Sequence, residues 1–231
     1  MNERPWLKWV LSAAVALVVV VVGGLFVIRA IQGDSKPPLT LPTVTTVAGA
    51  SPTSSGPVVI EGAWNVSADS TAGYRIKETL FGQSNTAVGR TTAVNGSMTI
   101  SGTTVSAGSF TVDLTKVSSD RSQRDGQFQG RIMNTASFPT AKFSLTQPIQ
   151  LTTLPANGVQ VTEKATGDLT MHGVTKSVTF DLTAQRSGST IQAKGAIPIT
   201  FADWSISNPS GGPATTADNG SLEFLINFTH S

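Results

Sequence analysis

Hydrophobic and polar positions alternate along most of the chain after about residue 58. Residues 110–114, 178–182 and 222–228 each place large apolar side chains at every second position. A period of two is typical of a half-buried β-strand, and turn-forming pairs such as Asn95-Gly96 and Asn219-Gly220 separate the runs. The pattern predicts strands at 59–67, 71–79, 87–93, 97–101, 104–115, 141–151, 159–171, 174–186, 190–201 and 220–230.

One segment departs from this alternation. Residues 122–133 open with polar side chains, and Phe128, Ile132 and Met133 then follow at helical spacing, which predicts a short helix. Eight or more antiparallel strands with tight hairpins indicate a sandwich or a closed barrel. The sequence therefore predicts an all-β fold of about eight antiparallel strands with one short helix, and an eight-stranded barrel can hold one small ligand.

The N-terminal region has a different pattern. Residues 9–28 form an uncharged run of 20 residues, long enough to cross the roughly 30 Å hydrocarbon core of a bilayer as a helix. Arg4 and Lys8 precede the run, which favours a cytoplasmic N-terminus and an extracytoplasmic domain after a single membrane span. A cleaved signal peptide is the alternative, although the run exceeds the length usual for one.

The sequence divides into three parts: an anchor at 1–31, a linker at 32–57 and a barrel domain at 58–231. The linker is rich in Pro, Thr and Ser, which is typical of an extended spacer that holds a domain away from a membrane. We predict that the protein lies in the cell membrane through its N-terminal helix.

Charge and cysteine content exclude several classes of function. The formal charge of the whole chain is +2, but residues 58–231 contain 12 basic and 12 acidic side chains. A domain without net positive charge or a basic run is not expected to bind nucleic acid. The chain has no cysteine, which excludes disulfides, thiolate metal sites and a cysteine nucleophile.

Two separated motifs resemble those of a known family. One runs from Ser118 to Asp125 and on to Phe138-Pro139-Thr140-Ala141-Lys142-Phe143, and the other runs from Ala165 to Val178. Together they resemble the YceI-like family of lipid-binding proteins. The resemblance implies an extended, lipocalin-like antiparallel barrel that binds a polyisoprenoid or an isoprenoid quinone. It implies no catalysis and no cofactor other than a bound lipid.

We predict that apolar side chains inside the barrel contact this ligand. For any single residue, packing in the core is the simpler interpretation, because large apolar side chains are usually buried. Small inward residues, Gly167 and Ala193, would leave space for a ligand. The predicted ligand contacts are Tyr74, Ile76, Phe110, Val112, Leu114, Phe128, Phe143, Leu169, Met171, Phe180, Phe224 and Ile226.

Three charged residues are candidates for contact with a polar headgroup: Glu78, Arg124 and Asp125. The structural alternatives are an exposed rim position for Glu78 and a capping role for Asp125 at the helix N-terminus. His172 lies in a predicted hairpin turn, and the two histidines of the chain are too far apart in sequence to indicate a metal site.

Three functions remain open at this stage. The first is a membrane-anchored protein that sequesters or carries an apolar lipid. The second is an enzyme acting on a lipid or cell-wall intermediate, which would require the three charged residues to converge on one cavity. The third is a structural envelope module with a filled barrel. The sequence does not indicate an oligomeric state.

Overall fold

The computed structural model describes residues 36–44, 60–212 and 214–231. The strands are β1 (Gly62–Val66), β2 (Thr71–Leu80), β3 (Gln83–Thr91), β4 (Val94–Ser101), β5 (Thr104–Asp113), β6 (Thr140–Leu145), β7 (Ile149–Gln150), β8 (Gln160–Met171), β9 (Val174–Ser187), β10 (Thr190–Thr200), β11 (Ala214–Thr216) and β12 (Asn219–His230). The helix α1 (Ser122–Gln127) lies between β5 and β6, and short helical turns occupy Leu114–Lys116 and Phe201–Trp204.

Eight strands close into an antiparallel barrel. The order around the wall is β1, β4, β5, β6, β8, β9, β10 and β12, and β12 pairs with β1 to complete the circle. The hairpin of β2 and β3 extends the wall past β1 and β4, because β2 also pairs with β12. Closure removes most of the exposed edges that would invite association with other chains. The predicted eight-stranded barrel with one short helix is confirmed.

The observed strands depart from the predicted ones in several places. The strands predicted at 87–93 and 97–101 begin earlier, at Gln83 and Val94, and the short β11 had no prediction. The predicted turns Asn95-Gly96 and Asn219-Gly220 lie inside β4 and β12. The strand predicted at 141–151 divides into β6 and β7, which leaves a break in the wall after Leu145. At the helix, α1 continues through Phe128–Ile132 with a wider turn, in which Met133 N–H donates to Phe128 O at 2.9 Å.

The predicted membrane helix at 9–28 lies outside the described residues and stays a prediction. Within the parts of the chain that are described, no helix has the length and hydrophobicity needed to span a bilayer.

Part of the predicted linker packs on the outer wall of the barrel. We call residues 36–44 the strap. Leu41 in the strap and Val88 on β3 are both buried, yet neither belongs to the core cluster inside the barrel. At the far end of the strap, a Cβ built on Gly158 would lie 3.1 Å from Cβ of Val44, so these two residues are in contact. Over these residues the chain is docked, which corrects the expectation of a free spacer there.

Two groups of polar side chains on the outer wall hold the strap. Arg75 donates to Lys36 O at 2.8 Å and Arg90 donates to Pro37 O, while both guanidinium groups also contact the buried carboxylate of Glu223. The carbonyl of a further strap residue is held by a row of amides that crosses four strands.

This amide row consists of cross-strand neighbours, Gln160, Gln185, Gln192 and Asn227. Gln185 is 1% exposed, and its Nε2 donates to Pro42 O at 2.8 Å and to Gln192 Oε1 at 2.9 Å. Its Oε1 accepts from Gln160 Nε2 at 3.3 Å. Buried amides are costly unless they are hydrogen-bonded, so the strap carbonyl satisfies a donor that the barrel alone would leave unpaired.

Replacing Leu41 with aspartate is expected to release the strap. A charge at this buried position cannot be paired there, and we expect a loss of about 2 kcal/mol in the free energy of unfolding. A nonspecific protease should then cut within the strap faster, while the barrel strands stay intact. Thr43→Asp, at an exposed strap position, is the control. Unchanged cleavage of the strap in Leu41→Asp would contradict the docked strap.

The β2–β3 hairpin carries an aromatic residue in a strained turn. Phe81 has φ of 50° and Gly82 has φ of 76°, while the Phe81 side chain is 59% exposed. Two successive positive φ values define the turn type that prefers Asn-Gly. A bulky residue in this region costs on the order of 1 kcal/mol, and packing does not compensate for an exposed ring.

Phe81→Asn is therefore expected to stabilise the domain by about 1 kcal/mol in urea denaturation. Phe81→Ala separates the two effects, because it removes the ring but keeps a residue that disfavours positive φ. Equal stabilities of the two variants would argue against backbone strain at this turn.

Candidate apolar binding site

An apolar cavity of about 120 Å³ lies inside the barrel, toward the end where the β4–β5 and β9–β10 hairpins lie. The strands position its walls through their alternation, because every second residue of β5, β9, β10 and β12 points inward. Ala165 and Ala193 are both buried and line the cavity, where their small side chains leave space.

Four phenylalanine rings form one side of this cavity. Phe224 lies 5.1 Å from Phe110 and 5.7 Å from Phe180, measured between ring centroids. Phe143 completes the group, 5.6 Å from Phe110 and 5.4 Å from Phe180. Tilted and edge-on pairs at these separations are favourable, so the cluster is a rigid apolar surface.

Glycines make room for the rings of this cluster. A Cβ on Gly195 would lie 2.6 Å from Cζ of Phe224, and a Cβ on Gly167 would lie 2.5 Å from Cζ of Phe143. The expectation that Gly167 leaves space for a ligand is therefore wrong, because the ring of Phe143 occupies that space. Ala193, the other small residue singled out in the sequence, lines the cavity.

The other end of the barrel, under the helix, is filled with side chains. The Tyr74 ring stacks on Phe128 with centroids 5.1 Å apart, and both residues are buried. Burial raises the pKa of the Tyr74 hydroxyl well above its usual range, although the nearby Arg124 acts in the opposite direction. This phenol therefore stays protonated at physiological pH, and this end of the barrel is core.

The twelve predicted ligand contacts divide between the two ends. Five line the cavity: Phe110, Phe143, Phe180, Phe224 and Ile226. Seven lie outside its lining, within the packed core or against it: Tyr74, Ile76, Val112, Leu114, Phe128, Leu169 and Met171. Alternation identified the inward face correctly, but the cavity occupies only one end of the interior.

The predicted headgroup residues lie at the helix end and contact protein groups. Glu78 and Arg124 form an ion pair at 2.9 Å, with side chains 10% and 15% exposed, so the rim position expected for Glu78 is wrong. Arg124 also pairs with Asp120, one helical turn before it. None of the predicted headgroup residues lines the cavity.

Asp125 fixes the chain that enters the helix. Its Oδ1 accepts from Ser119 N at 2.8 Å and from Ser119 Oγ at 2.6 Å. The carboxylate therefore has a structural role at the start of the helix, but the capping interpretation is wrong in its partner: Asp125 binds the preceding loop rather than a free N–H of the first turn.

Two charged residues that the sequence reasoning missed do line the cavity, Glu163 and Arg186. Glu163 pairs with Leu182 in the β8–β9 register, and Arg186 lies four residues further along β9, about 13 Å nearer the hairpin. The Glu163 side chain forms no ion pair or hydrogen bond with any described residue, and Arg186 Nη1 donates to Gly188 O at 3.2 Å. Glu163 is two residues after the inward Val161, and Arg186 is two residues after the inward Ala184. This spacing was the sequence signal that both side chains point inward.

No group of three or more metal-ligating side chains occurs among the described residues. His172 lies in the β8–β9 turn with φ of 50°, and its Nδ1 is 3.0 Å from Trp204 O. The ring also contacts Phe138 at 4.8 Å between centroids, which accounts for this histidine as a structural residue. The cavity thus presents apolar walls and two separated charges, an arrangement suited to binding an apolar molecule.

Comparison with known proteins shows which family has this architecture. The YceI-like domain family matches residues 64–228, which is well over half of the chain. No match was found among curated protein sequences.

Similar solved structures share the fold at low identity. A polyisoprenoid-binding domain from Saccharophagus degradans is 15% identical with a TM-score of 0.59, covering 74% of this chain and 99% of that one. BcnA from Burkholderia cenocepacia is 18% identical with a TM-score of 0.55, covering 70% and 98%. A YceI protein from Campylobacter jejuni is 15% identical with a TM-score of 0.52, covering 62% and 84%. With the barrel, its helix and the match over 64–228, the chain belongs to the YceI-like family.

Proposed function

We propose that the barrel binds the hydrocarbon part of a lipid, with a prenyl chain as the preferred ligand, and that it sequesters or carries this lipid without chemical change. The observation that carries the proposal is the apolar cavity walled by Phe110, Phe143, Phe180 and Phe224. The family and its polyisoprenoid-binding member support the same class of ligand.

The chemistry of the cavity favours a hydrocarbon over a polar ligand. Removing apolar surface from water contributes roughly 25 cal/mol per Å², and the rigid phenylalanine cluster needs little ordering when a ligand binds. A polar group placed against these rings would lose its hydrogen bonds to water. Glu163 and Arg186, the charged residues of the lining, can meet the polar end of an amphipathic ligand.

The size of the cavity limits what it encloses without movement. An apolar cavity of about 150 Å³ is known to hold benzene, so a volume of about 120 Å³ holds roughly one five-carbon prenyl unit. A longer prenyl chain requires side chains to move or part of the chain to leave the cavity.

Membrane anchorage and an extracytoplasmic position belong to this proposal. They rest on the uncharged run at 9–28 and on the basic residues before it. A barrel held near a bilayer would have direct access to a lipid that is almost insoluble in water.

A catalytic role gains no support from the charged residues considered for it. Glu78 and Arg124 neutralise one another at the helix end, and Asp125 is bonded to Ser119. Convergent groups around a reacting atom are the signature of an active site, and these groups do not converge on the cavity.

The test is recovery of lipid from the purified full-length chain, followed by mass spectrometry, together with uptake of added geranylgeraniol. We expect one apolar lipid per chain to be recovered or one molecule of added probe to bind. A chain that carries no lipid and takes up no probe would refute the proposal.

A further inference from the structure

The barrel wall divides on one side of the cavity. Strand β6 ends at Leu145, and beyond it β7 follows β5 while β8 follows β9. Thr166 O on β8 accepts from Thr146 N at 3.0 Å and from Gln147 N at 3.3 Å. Among the described residues, these are the last main-chain bonds between β8 and the segment that runs from β6 to β7. Among the described residues, no main-chain bond links β7 to β8. We call the gap between β7 and β8 the slot.

The β8 edge of the slot has main-chain groups without partners in the wall. In an antiparallel ladder, alternate residues direct their N–H and C=O groups to the same side, and Thr166 faces the slot side. Thr162 and Lys164 share this orientation, and their main-chain groups form no bond across the slot to any described residue. An unpaired edge beside an apolar interior is unusual for a closed barrel.

Residues that line the cavity continue to both edges of the slot. Ile149 and Leu151 lie on the β7 side, and Val161 and Ala165 lie on the β8 side with the charged Glu163 between them. The wall gap and the cavity are thus lined by the same residues, so the slot leads into the cavity.

A flap, defined as residues 151–158, connects β7 to β8 and so joins the two edges of the slot. Its ends are fixed, because Leu151 N donates to Thr103 O at 2.9 Å and Gly158 N donates to Arg186 O at 2.8 Å. Residues 152–155 form no hydrogen bond with any described residue, and Leu154 and Pro155 instead line the cavity. The centre of the flap can therefore move outward without breaking a hydrogen bond of the described chain.

We propose that the slot is a lateral portal, through which a prenyl chain passes between the bilayer or solvent and the cavity when the flap moves. The inference rests on the proposed function, since it needs an apolar ligand. The limited cavity volume supports it, because the part of a ligand beyond about one prenyl unit must leave the cavity, and the slot offers a largely apolar route beside Glu163.

Covalent stapling of the slot tests this portal. The chain has no cysteine, so a pair of introduced cysteines can be joined by a bis-maleimide without side reactions. Gln150→Cys with Thr162→Cys places one exposed thiol on each edge of the slot. Thr162→Cys with Thr183→Cys is the matched control on the intact β8–β9 seam, where the two Thr Oγ1 atoms lie 2.9 Å apart.

Uptake and release of geranylgeraniol are measured for both pairs before and after stapling. We expect the slot staple to slow both rates by about tenfold or more, and the seam staple to change them by less than about twofold. Equal rates in the two stapled proteins would overturn the portal. If the unstapled variants take up no probe, the proposed function has failed, which is a different result from unchanged rates of a bound probe.

Discussion

Replacing Ala193 with phenylalanine is expected to weaken geranylgeraniol binding by about tenfold or more without lowering the stability of the domain. Ala193 is buried on β10 and lines the cavity. A phenyl ring at this position enters the space that a prenyl unit would occupy. Because that space is apolar and unfilled by side chains, the ring replaces empty volume rather than existing packing.

The combination of lost binding and retained stability distinguishes this result from misfolding. Binding is measured by probe retention through gel filtration, and stability by urea denaturation. Ala107→Phe adds the same ring at an exposed position of β5 and should bind the probe normally. If Ala193→Phe binds the probe as tightly as the original chain, the ligand does not occupy this cavity.

The strands could be predicted from sequence because the alternation of apolar and polar residues is a local pattern. Residues 110–114 and 222–228 alternate so regularly that the inward face follows directly from the order of side chains. The division of 141–151 into two strands could not be predicted in this way. It depends on which neighbour pairs with β8 after Leu145, and that is a property of the assembled wall.

The candidate site could be predicted only in part, because alternation gives the face of a residue but not its depth along the barrel. Phe180 and Leu169 both point inward, yet Phe180 lines the cavity while Leu169 belongs to packed core outside its lining. The difference arises where the helix contributes Phe128 and fills the space above Tyr74. Such filling involves residues far apart in sequence, which a local pattern cannot reveal.

The positions of the charged residues could also be predicted only in part. Glu78 and Arg124 are 46 positions apart and pair only because the helix returns over the end of β2. Glu163, by contrast, stands in alternation with Val161 and Ala165, so its inward position was readable from the sequence. A charge on an otherwise apolar inward face was the more informative signal for the site.

The strap illustrates how composition can mislead. Its prolines and threonines indicated an extended spacer, and the segment is indeed without helix or strand. It nevertheless docks, because Leu41 is buried and the carbonyl of Pro42 meets the buried amide of Gln185. An extended segment exposes many main-chain carbonyls, and a wall with unpaired donors is what binds them.

Phe224→Ala is expected to destabilise the domain by about 3–5 kcal/mol. Phe224 is 4% exposed and contacts two other rings of the cluster, and its own ring lies over Gly195. The substitution removes these aromatic contacts and leaves additional space next to the existing cavity. Part of the cost therefore comes from a cavity that an apolar ligand can fill.

The decisive readout is the stabilisation by geranylgeraniol, measured as the rise in thermal midpoint at saturating probe. At a fixed probe concentration, a ligand stabilises the folded state by an amount that grows with the logarithm of its affinity, so we expect a larger rise in Phe224→Ala than in the original chain. Phe128→Ala is the matched control, since this ring is also buried but stacks on Tyr74 outside the cavity. It should lose a similar amount of stability and gain no additional rise from the probe, because its vacated space is separated from the ligand by packed core. Equal responses of the two variants would show that the probe binds elsewhere, whereas a response confined to Phe224→Ala assigns the binding energy to the phenylalanine cluster.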